Sequence, residues 1–381
     1  MLRYRANRPG RAARSSMLFV VVIAAALMVA LSASARAADH PLSEQDNACL
    51  NCHGFEGTQK KATNGDILSL HIPQEDFAKS VHSAVGCSGC HADVTPNHPS
   101  DVKGIAASRA YSIEKLDTCR TCHDDKFKQW EGSIHASLVR DGNPGAPICT
   151  DCHNPHAVIK GSASSMESVP CKNCHSDVYD AYANSVHGKL RSTGQIVTPL
   201  CAGCHAPHAI RPANLAMGNG LDSACTGCHA DLAEQHKTWH SALHLEVVSC
   251  PACHAPGNPR RLDLKLINDV TQARVSDKKS VPQVEGLARA QDIDGKGFNA
   301  LELWGLLRTL NAHEGTSKIV LRGRLEMKNG ADAHKLVAKS QAVSDCNTCH
   351  RKGAEAFQAV TLSILDAHGL PIRFGAGDRK Q

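Results

Sequence analysis

Large aromatic side chains are scarce in this chain. Of its 381 residues, 7 are Phe, 4 are Tyr and 3 are Trp, which together make 4%. A chain long enough for two ordinary domains would normally draw on more aromatic surface for its core. Something other than side chains is therefore expected to supply much of the apolar surface.

No cysteine is left over for a disulfide bond. All 18 cysteines fall in nine copies of Cys-x-x-Cys-His, so a disulfide framework is excluded. The cysteine pairs are Cys49 and Cys52, Cys87 and Cys90, Cys119 and Cys122, Cys149 and Cys152, Cys171 and Cys174, Cys201 and Cys204, Cys225 and Cys228, Cys250 and Cys253, and Cys346 and Cys349.

Cys-x-x-Cys-His is the attachment motif of c-type haem. Two thiols reach the two vinyl groups on one porphyrin edge, while the adjoining imidazole turns onto the iron. A zinc site or a redox Cys-x-x-Cys is the alternative, but a histidine follows every pair directly. The motifs predict nine covalent haems c, with proximal ligands His53, His91, His123, His153, His175, His205, His229, His254 and His350.

A two-haem unit occurs twice with a period of 52 residues, from Cys119 to His156 and from Cys171 to His208. Such a period indicates a repeat architecture. A looser copy covers residues 49–98, and a fourth begins at Cys225. Residues 124–138 and 177–190, which follow an attachment motif, are predicted to form short helices because they contain almost no Gly or Pro.

Each unit carries two histidines besides the motif histidines, which predicts histidine on both axial sides of each iron. The fourth copy lacks a trailing histidine after Pro256, and His244 is chosen to replace it; His334 or His368 is expected to close the ninth haem. His71 and His236 stay open, whereas His40 and His313 are expected to be ordinary surface or core residues. The predicted distal ligands are His82, His98, His135, His156, His187, His208, His240, His244 and His334.

Residues 1–37 have the composition of a signal peptide. Five arginines precede an apolar run of 15 residues, Met17 to Leu31, and Ala35-Arg36-Ala37 offers a cleavage site. The run is short for a membrane span, which needs about 20 residues, so a retained anchor is the weaker alternative. A periplasmic location after cleavage is expected, and haem attachment after export agrees with it.

Charge divides the mature chain into parts. Removal of six arginines with residues 1–37 turns the formal net charge from +5 to −1, so nucleic-acid binding has no support. Residues 38–254, an eight-haem arm of four two-haem units, carry 16 basic and 23 acidic side chains. The haem-free segment 255–345 carries 15 basic and 11 acidic ones, and residues 346–381 hold the ninth haem and a tail.

The haem-free segment contains one strong helical pattern. Ala300, Leu303, Trp304, Leu307 and Leu310 repeat at helical spacing and predict an amphipathic helix near 299–312. The helix either packs on the haem arm or serves as a docking surface. Residues 292–297 are interpreted as a turn, because the full calcium-loop motif is not present.

The motif set resembles periplasmic multihaem c-type cytochromes, including those grouped with cytochrome c3 and the small haem-chain donors to nitrite reductase. The marks are Ser-x-His before a motif and Cys-His-x-Pro-His, and the resemblance covers residues 49–254 and part of 334–350. It implies two classes of distal ligand, one with His82, His135, His187 and His240, the other with His156 and His208. It further implies a mostly α fold with extensive irregular loops and a core of stacked haems, with no hydrophobic core apart from the cofactors.

Two functions are compared. The first is a periplasmic electron carrier, without catalytic residues, between a membrane quinol dehydrogenase or cytochrome b-type donor and other periplasmic or outer-membrane cytochromes. The second is a multihaem reductase of nitrogen or sulfur oxyanions, which requires one haem with an open coordination position. With 23 histidines, the supply exceeds nine proximal and nine distal positions, so nothing forces an open site. The carrier is preferred.

Overall fold

The computed structural model describes residues 41–94, 98, 104–161, 165–195, 197–211, 221–236, 241–275, 284–312, 318–366 and 371–375. The predicted signal peptide, residues 1–37, lies outside them, as do His40, His240, His313 and His368. The chain divides into two compact units, one of Met1–Ile105 with Asn154–Lys160 and one of Ala106–His153 with Gly161–Gln381. Within the described ranges, no helix is long and apolar enough to cross a membrane.

The first unit has very little side-chain core. Two short antiparallel strands, β1 (Gln59–Lys61) and β2 (Ile67–Ser69), accompany its helices. The helices are Glu44–His53, Gln74–Lys79 and Cys87–Cys90, with a 3-10 turn at Val81–Ala84. Among its described residues, the buried apolar side chains are Leu50, Ala62 and Phe77.

The second unit begins with short helices separated by irregular loops, in agreement with the mostly helical, loop-rich expectation for this part of the chain. The α-helices are Ser108–Glu114, Leu116–Glu131, Ile134–Arg140, Cys149–Cys152, Ser176–Ala183, Val186–Ser192, Cys201–Cys204, Leu221–Thr226, Leu232–Gln235, Ser241–Val247 and Cys250–His254, with a 3-10 turn at Pro170–Asn173.

The two predicted helices at 124–138 and 177–190 are each divided by a serine. Ser133 separates the Leu116–Glu131 helix from the next one, and its hydroxyl accepts a hydrogen bond from the Ala136 N–H at 3.2 Å. Ser185 does the same for the Gly188 N–H at 3.2 Å. A serine N-cap satisfies a donor that the first helical turn leaves free, so the chain starts a new helix there.

Position 188, in the helix that Ser185 caps, has no room for a side chain because the backbone of Ala183 packs against it. A Cβ added at Gly188 would lie 2.7 Å from the Ala183 Cα, whereas one added at Gly330 would meet nothing within 4 Å. We expect Gly188→Ala to lower the free energy of unfolding by about 1–3 kcal/mol, the usual range for overpacking. Gly330→Ala is the control and should change it little. Thermal unfolding followed by circular dichroism compares the two, and equal stabilities would contradict the packing account.

A four-stranded sheet occupies the C-terminal part of the second unit. Its strands are β3 (Arg260–Asn268), β4 (Ile319–Met327), β5 (Val360–Leu365) and β6 (Pro371–Phe374), in the order β4-β3-β5-β6. The β3–β5 pair is parallel and the other two pairs are antiparallel. The sheet therefore combines strands from the segment 255–345 with strands from residues 346–381, which were predicted from the sequence to be separate parts.

The sheet has a conventional hydrophobic core on one face. The helices Val284–Gln291 and Ala300–Ala312 pack there. The buried residues of this sheet core are Leu266, Val275, Val284, Ala288, Leu306, Leu310, Ile319, Leu362, Ile364 and Phe374. The implied absence of a hydrophobic core apart from the cofactors is thus wrong for this part of the chain, because alternating Leu side chains of β3 and β4 face the helices.

The helix at Ala300–Ala312 contacts the sheet core. Leu306 and Leu310 are fully buried, whereas Trp304 is 60% exposed. The apolar stripe is therefore rotated from the predicted one, because the sheet covers the side that holds Leu306. Residues 292–297 form a turn in which Gly295 and Gly297 have positive φ and the Lys296 ammonium lies 3.4 Å from the Asp294 carboxylate.

The remaining short helices and 3-10 turns connect the sheet to the last attachment motif. They are the helices Gly330–His334 and Asn347–His350 and the 3-10 turns Lys339–Gln341 and Glu355–Phe357.

Candidate haem sites

Each of eight motif histidines lies close to a second histidine ring. Within the described residues, eight such ring pairs have centroid separations between 5.8 and 6.5 Å. The pairs are His53 with His98, His91 with His156, His135 with His175, His153 with His208, His187 with His229, His205 with His334, His236 with His254, and His244 with His350.

An iron atom fits between the two rings of each pair. A metal–nitrogen bond to imidazole is about 2 Å long, so two bonds and two half-rings span roughly 6 Å between centroids. The cysteines of the same motifs are exposed or half-buried, which leaves their sulfur atoms accessible to a porphyrin. The residues present therefore fit a haem with histidine on both axial sides.

One class of pair follows a fixed rule along the chain. His156, three residues after the fourth motif histidine, stacks on the second motif histidine, and His208, three after the sixth, stacks on the fourth. Two residues further on, the carbonyl oxygens of Val158 and Ile210 accept hydrogen bonds from the residue that follows a capping serine, each at 2.9 Å. The second histidine class is thus held by backbone contacts of the Ser-x-His class.

His334 continues this rule after an insertion. Its ring lies 5.9 Å from that of His205, and the Leu336 carbonyl accepts from the Val186 N–H at 2.8 Å, as Val158 and Ile210 do in the earlier copies. His334 therefore stands where a histidine at 257 would stand, displaced by the sheet segment. His334 was expected to close the ninth haem, but in the structure it lies opposite the histidine of the sixth motif. The signal that sequence reasoning missed is His-x-aliphatic, shared by all three sites.

The last two motifs take their partners from a single stretch. His236 lies edge-on to His254 at 6.2 Å, and His244 lies edge-on to His350 at 5.8 Å. His244 thus faces the ninth motif rather than the eighth, while His236, left open by the sequence, faces the eighth. His240 lies outside the described residues. The Nδ1 atom of His82 lies 2.9 Å from the Pro155 carbonyl oxygen, and no ring pair of the described residues includes His71.

Cysteines of paired motifs touch each other. In the second unit, a hydrogen bond with Cys119, followed by burial, raises the pKa of Cys149. The bond between Cys171 and Cys201 lowers the pKa of Cys171 to about 6 and raises that of its partner. Cys225 and Cys250 are joined in the same way. Motifs three and four, five and six, and seven and eight therefore lie side by side.

Cysteines of successive pairs are also neighbours. Burial and then the nearby Cys171 raise the pKa of Cys152. Burial followed by Cys225 acts in the same way on Cys204, and burial followed by Cys349 on Cys253. The attachment sites of motifs three to nine thus form an unbroken series in the second unit. In the first unit, burial, Asp46 and Cys49 raise the pKa of Cys87 to about 12, so its two motifs adjoin as well.

Asp46 connects the two motifs of the first unit. Its carboxylate accepts hydrogen bonds from the Cys87 N–H at 2.8 Å and from the Ser43 hydroxyl at 2.5 Å. Burial raises the pKa of Asp46, but these hydrogen bonds outweigh it and leave the pKa below its ordinary value. The stabilisation is therefore present above the unfolded-state pKa of about 4 and is lost as the pH falls through the lower folded-state pKa.

Replacing Asp46 with Asn should remove this stabilisation. A hydrogen bond to a charged group contributes about 1.5–3 kcal/mol, so Asp46→Asn is expected to lower the free energy of unfolding at pH 7 by an amount in this range. The difference from the unmodified protein should shrink as the pH falls from about 4 through the lower folded-state pKa, where Asp46 becomes protonated in the folded protein. Unfolding curves at pH 7 and pH 3 measure it. Glu75→Gln, on an exposed side chain of the same unit, is the control.

Comparison with known proteins relates the chain to cytochromes. No protein-family model and no solved structure matches it. The chain is 26% identical over 204 residues to the multihaem cytochrome MtrA of Shewanella baltica strain OS185. This alignment covers 51% of this chain and 56% of MtrA. It is 25% identical over 141 residues to the cytochrome c-type protein NrfB of Escherichia coli O6:H1, covering 32% of this chain and 71% of NrfB.

The chain is thus a distant relative of multihaem c-type cytochromes. It spans about half the length of MtrA. Covalently bound c-type haem is implied by this relationship, and it agrees with the ring pairs and the accessible cysteines.

Proposed function

We propose that the chain is a periplasmic electron carrier with nine covalent haems c, each held between two histidines. In this proposal it relays electrons from a membrane quinol-oxidising donor to other periplasmic or outer-membrane redox proteins. Haem c ligated on both sides supplies one-electron exchange without binding a substrate. The support comes from the site and not from the family alone, since related folds carry different chemistry.

The observation that carries the proposal is the ordered series of attachment sites. Motifs three to nine adjoin one another in sequence order through their cysteines, from Cys119 to Cys349. Cofactors attached to such a series would lie next to one another, which is the arrangement that electron relay requires. A multihaem reductase would need, besides such a row, one haem with an open coordination position.

The ring pairs support closed coordination. A second imidazole lies opposite eight motif histidines of the described chain, at separations that accommodate one iron atom. A haem so ligated has no position for nitrite or another oxyanion. At these eight motifs, the reductase alternative therefore requires a haem whose second ligand leaves.

Mass and spectra of the exported protein test the proposal. We expect nine haem increments, loss of residues 1–37, low-spin haem throughout, and electron exchange with a quinol dehydrogenase that slows as ionic strength rises. Fewer than nine haems would contradict the stoichiometry. A high-spin haem with sustained reduction of nitrite, hydroxylamine or tetrathionate would favour the reductase.

Exchange of His334 for methionine tests the ligand assignment. Thioether ligation raises the reduction potential of a haem relative to histidine. His334→Met is therefore expected to raise the potential of one haem, the sixth, and to leave eight unchanged in a redox titration. His71→Met is the control and should change none. The same spectrum and potentials in both variants would show that His334 is not a ligand.

A further inference from the structure

A buried arginine lies against the eighth attachment motif. Arg260, the first residue of β3, is 4% exposed, and its Nε–H donates to the carbonyl oxygen of Ala252 at 2.7 Å. Ala252 stands between Cys250 and Cys253. The guanidinium is thus held directly beside the thiols that would bind the eighth haem.

The surroundings of Arg260 are apolar. Its β4 partner Met327 belongs to a cluster that we call the haem-side cluster. The members of the haem-side cluster are Ala252, Ala255, Leu325, Met327 and Ala356, with Val248, Ala333 and Cys349 packed against them. A charge in such a place is screened far less than one at the surface, so it acts strongly on its neighbours.

The charge of Arg260 is not neutralised within the described chain. Its Nη2 atom is buried without a hydrogen-bond partner, and no carboxylate of the described residues forms a salt bridge with the guanidinium. Glu355 approaches only the backbone N–H of Arg260, at 3.4 Å. An unpaired buried cation is costly to the fold, so its presence beside a cofactor site calls for a functional reason.

Arg109 provides an internal comparison. It also lies beside an attachment motif, since its guanidinium reaches the Ala146 carbonyl near Cys149. There, however, Asp151 forms an ion pair with it at 2.7 Å. The fourth motif therefore faces an ion pair, whereas the eighth faces a guanidinium that forms no salt bridge with a carboxylate of the described residues.

We propose that Arg260 raises the reduction potential of the eighth haem and makes it an electron-collecting site at the sheet end of the series. Reduction adds one electron to the haem, and a fixed positive charge nearby stabilises the reduced form. This inference rests on the proposed function, since it assumes a loaded eighth haem. It also gives the inserted sheet a role, because β3 supplies the buried guanidinium beside the eighth motif.

The proposed effect of the Arg260 charge is tested by measuring haem reduction potentials. Arg260→Met and Arg260→Gln remove the charge, and Gln keeps a donor for the Ala252 carbonyl should the Met variant fail to load haem. Arg260→Lys keeps the charge. Arg289→Met is the matched control, because it removes one positive charge from an exposed position on the same sheet domain, where Arg289 pairs with Glu285. Redox titrations of the loaded full chain are followed in the visible spectrum.

We expect the Met and Gln variants to lower one haem potential by at least a tenfold change in its reduction equilibrium, which is about 59 mV for a one-electron couple. The Lys and Arg289→Met proteins should keep the original value. In a background of Cys250→Ala with Cys253→Ala, which lacks the eighth haem, the change should vanish. Unaltered potentials in a loaded Met or Gln variant would overturn the proposal, as would an equal fall with Lys or a shift that survives in that background.

Failure of this inference is separable from failure of the proposed function. If haem content and low-spin spectra are as expected but Arg260→Gln changes no potential, the carrier stands and the role of Arg260 falls. If the unmodified protein contains a high-spin haem that turns over oxyanions, the carrier falls, whatever the potentials of the variants.

Discussion

Loss of the sixth haem is expected to stop electron passage along the second unit. Cys201→Ala with Cys204→Ala removes the attachment site that hydrogen-bonds with Cys171 on one side and lies near Cys225 on the other. The series of attachment sites is then interrupted by the width of a haem, and electron exchange falls steeply with distance between cofactors. We expect the current across the protein to drop many-fold although eight haems remain attached.

Current through an oriented monolayer measures this effect. A tether introduced as Phe357→Cys suits the purpose, since Phe357 is 46% exposed and follows the ninth motif. The control is Cys49→Ala with Cys52→Ala, which also removes one haem but does so at the first motif. It leaves the series of attachment sites in the second unit uninterrupted. Equal currents in the two eight-haem proteins, with intact mass and helix content confirmed, would contradict the series.

The full chain made without haem attachment is expected to fold only around its sheet. Ordering a residue costs about 1–2 kcal/mol in backbone entropy, whereas burying one large apolar side chain contributes about 1.5–3 kcal/mol. The described part of the first unit offers Leu50, Ala62 and Phe77 for this purpose. The sheet core offers ten buried apolar residues. Haem is therefore expected to be required for folding by the first unit and not by the sheet.

Amide hydrogen exchange under reducing conditions checks this division. Protection should appear in β3, β4, β5 and the two helices that pack on them, and be absent from residues 41–94. Leu306→Ala provides the control: Leu306 is fully buried in the sheet core, so truncation should cost about 2–5 kcal/mol and reduce the remaining protection. Strong protection of the Glu44–His53 helix in the haem-free chain would show that the first unit folds by itself.

Attachment sites were predictable because their chemistry is local. Cysteine and histidine within five successive residues form the whole covalent site, so no tertiary information is needed to find nine of them. The two histidine classes also repeat at 52 residues. The ring pairs of His135 with His175 and of His187 with His229 each join residues that are separated by less than one repeat period.

The sheet was within reach of the sequence but was not predicted. Leu262, Leu264 and Leu266 alternate with charged residues, and β4 alternates in the same manner, which is the signal of a half-buried strand. The charges on the other face are themselves buried: Lys265 is fully covered and lies 2.7 Å from the Glu326 carboxylate. In the sequence, charged residues at every second position suggest an exposed segment, because the oppositely charged partner on the neighbouring strand is not visible there.

The number of attachment motifs, their residue types and the repeat were thus determined by the sequence alone, since each depends on neighbouring residues. The choice of opposing histidine was decided by the tertiary structure. His334 meets His205 across 129 positions, and His244 meets His350 across 106, because the sheet inserted between them folds as a unit and returns the chain to the repeat. No local spacing encodes such a meeting. The charge of Arg260 was likewise visible in the sequence, but only packing against Ala252 places it at the eighth motif.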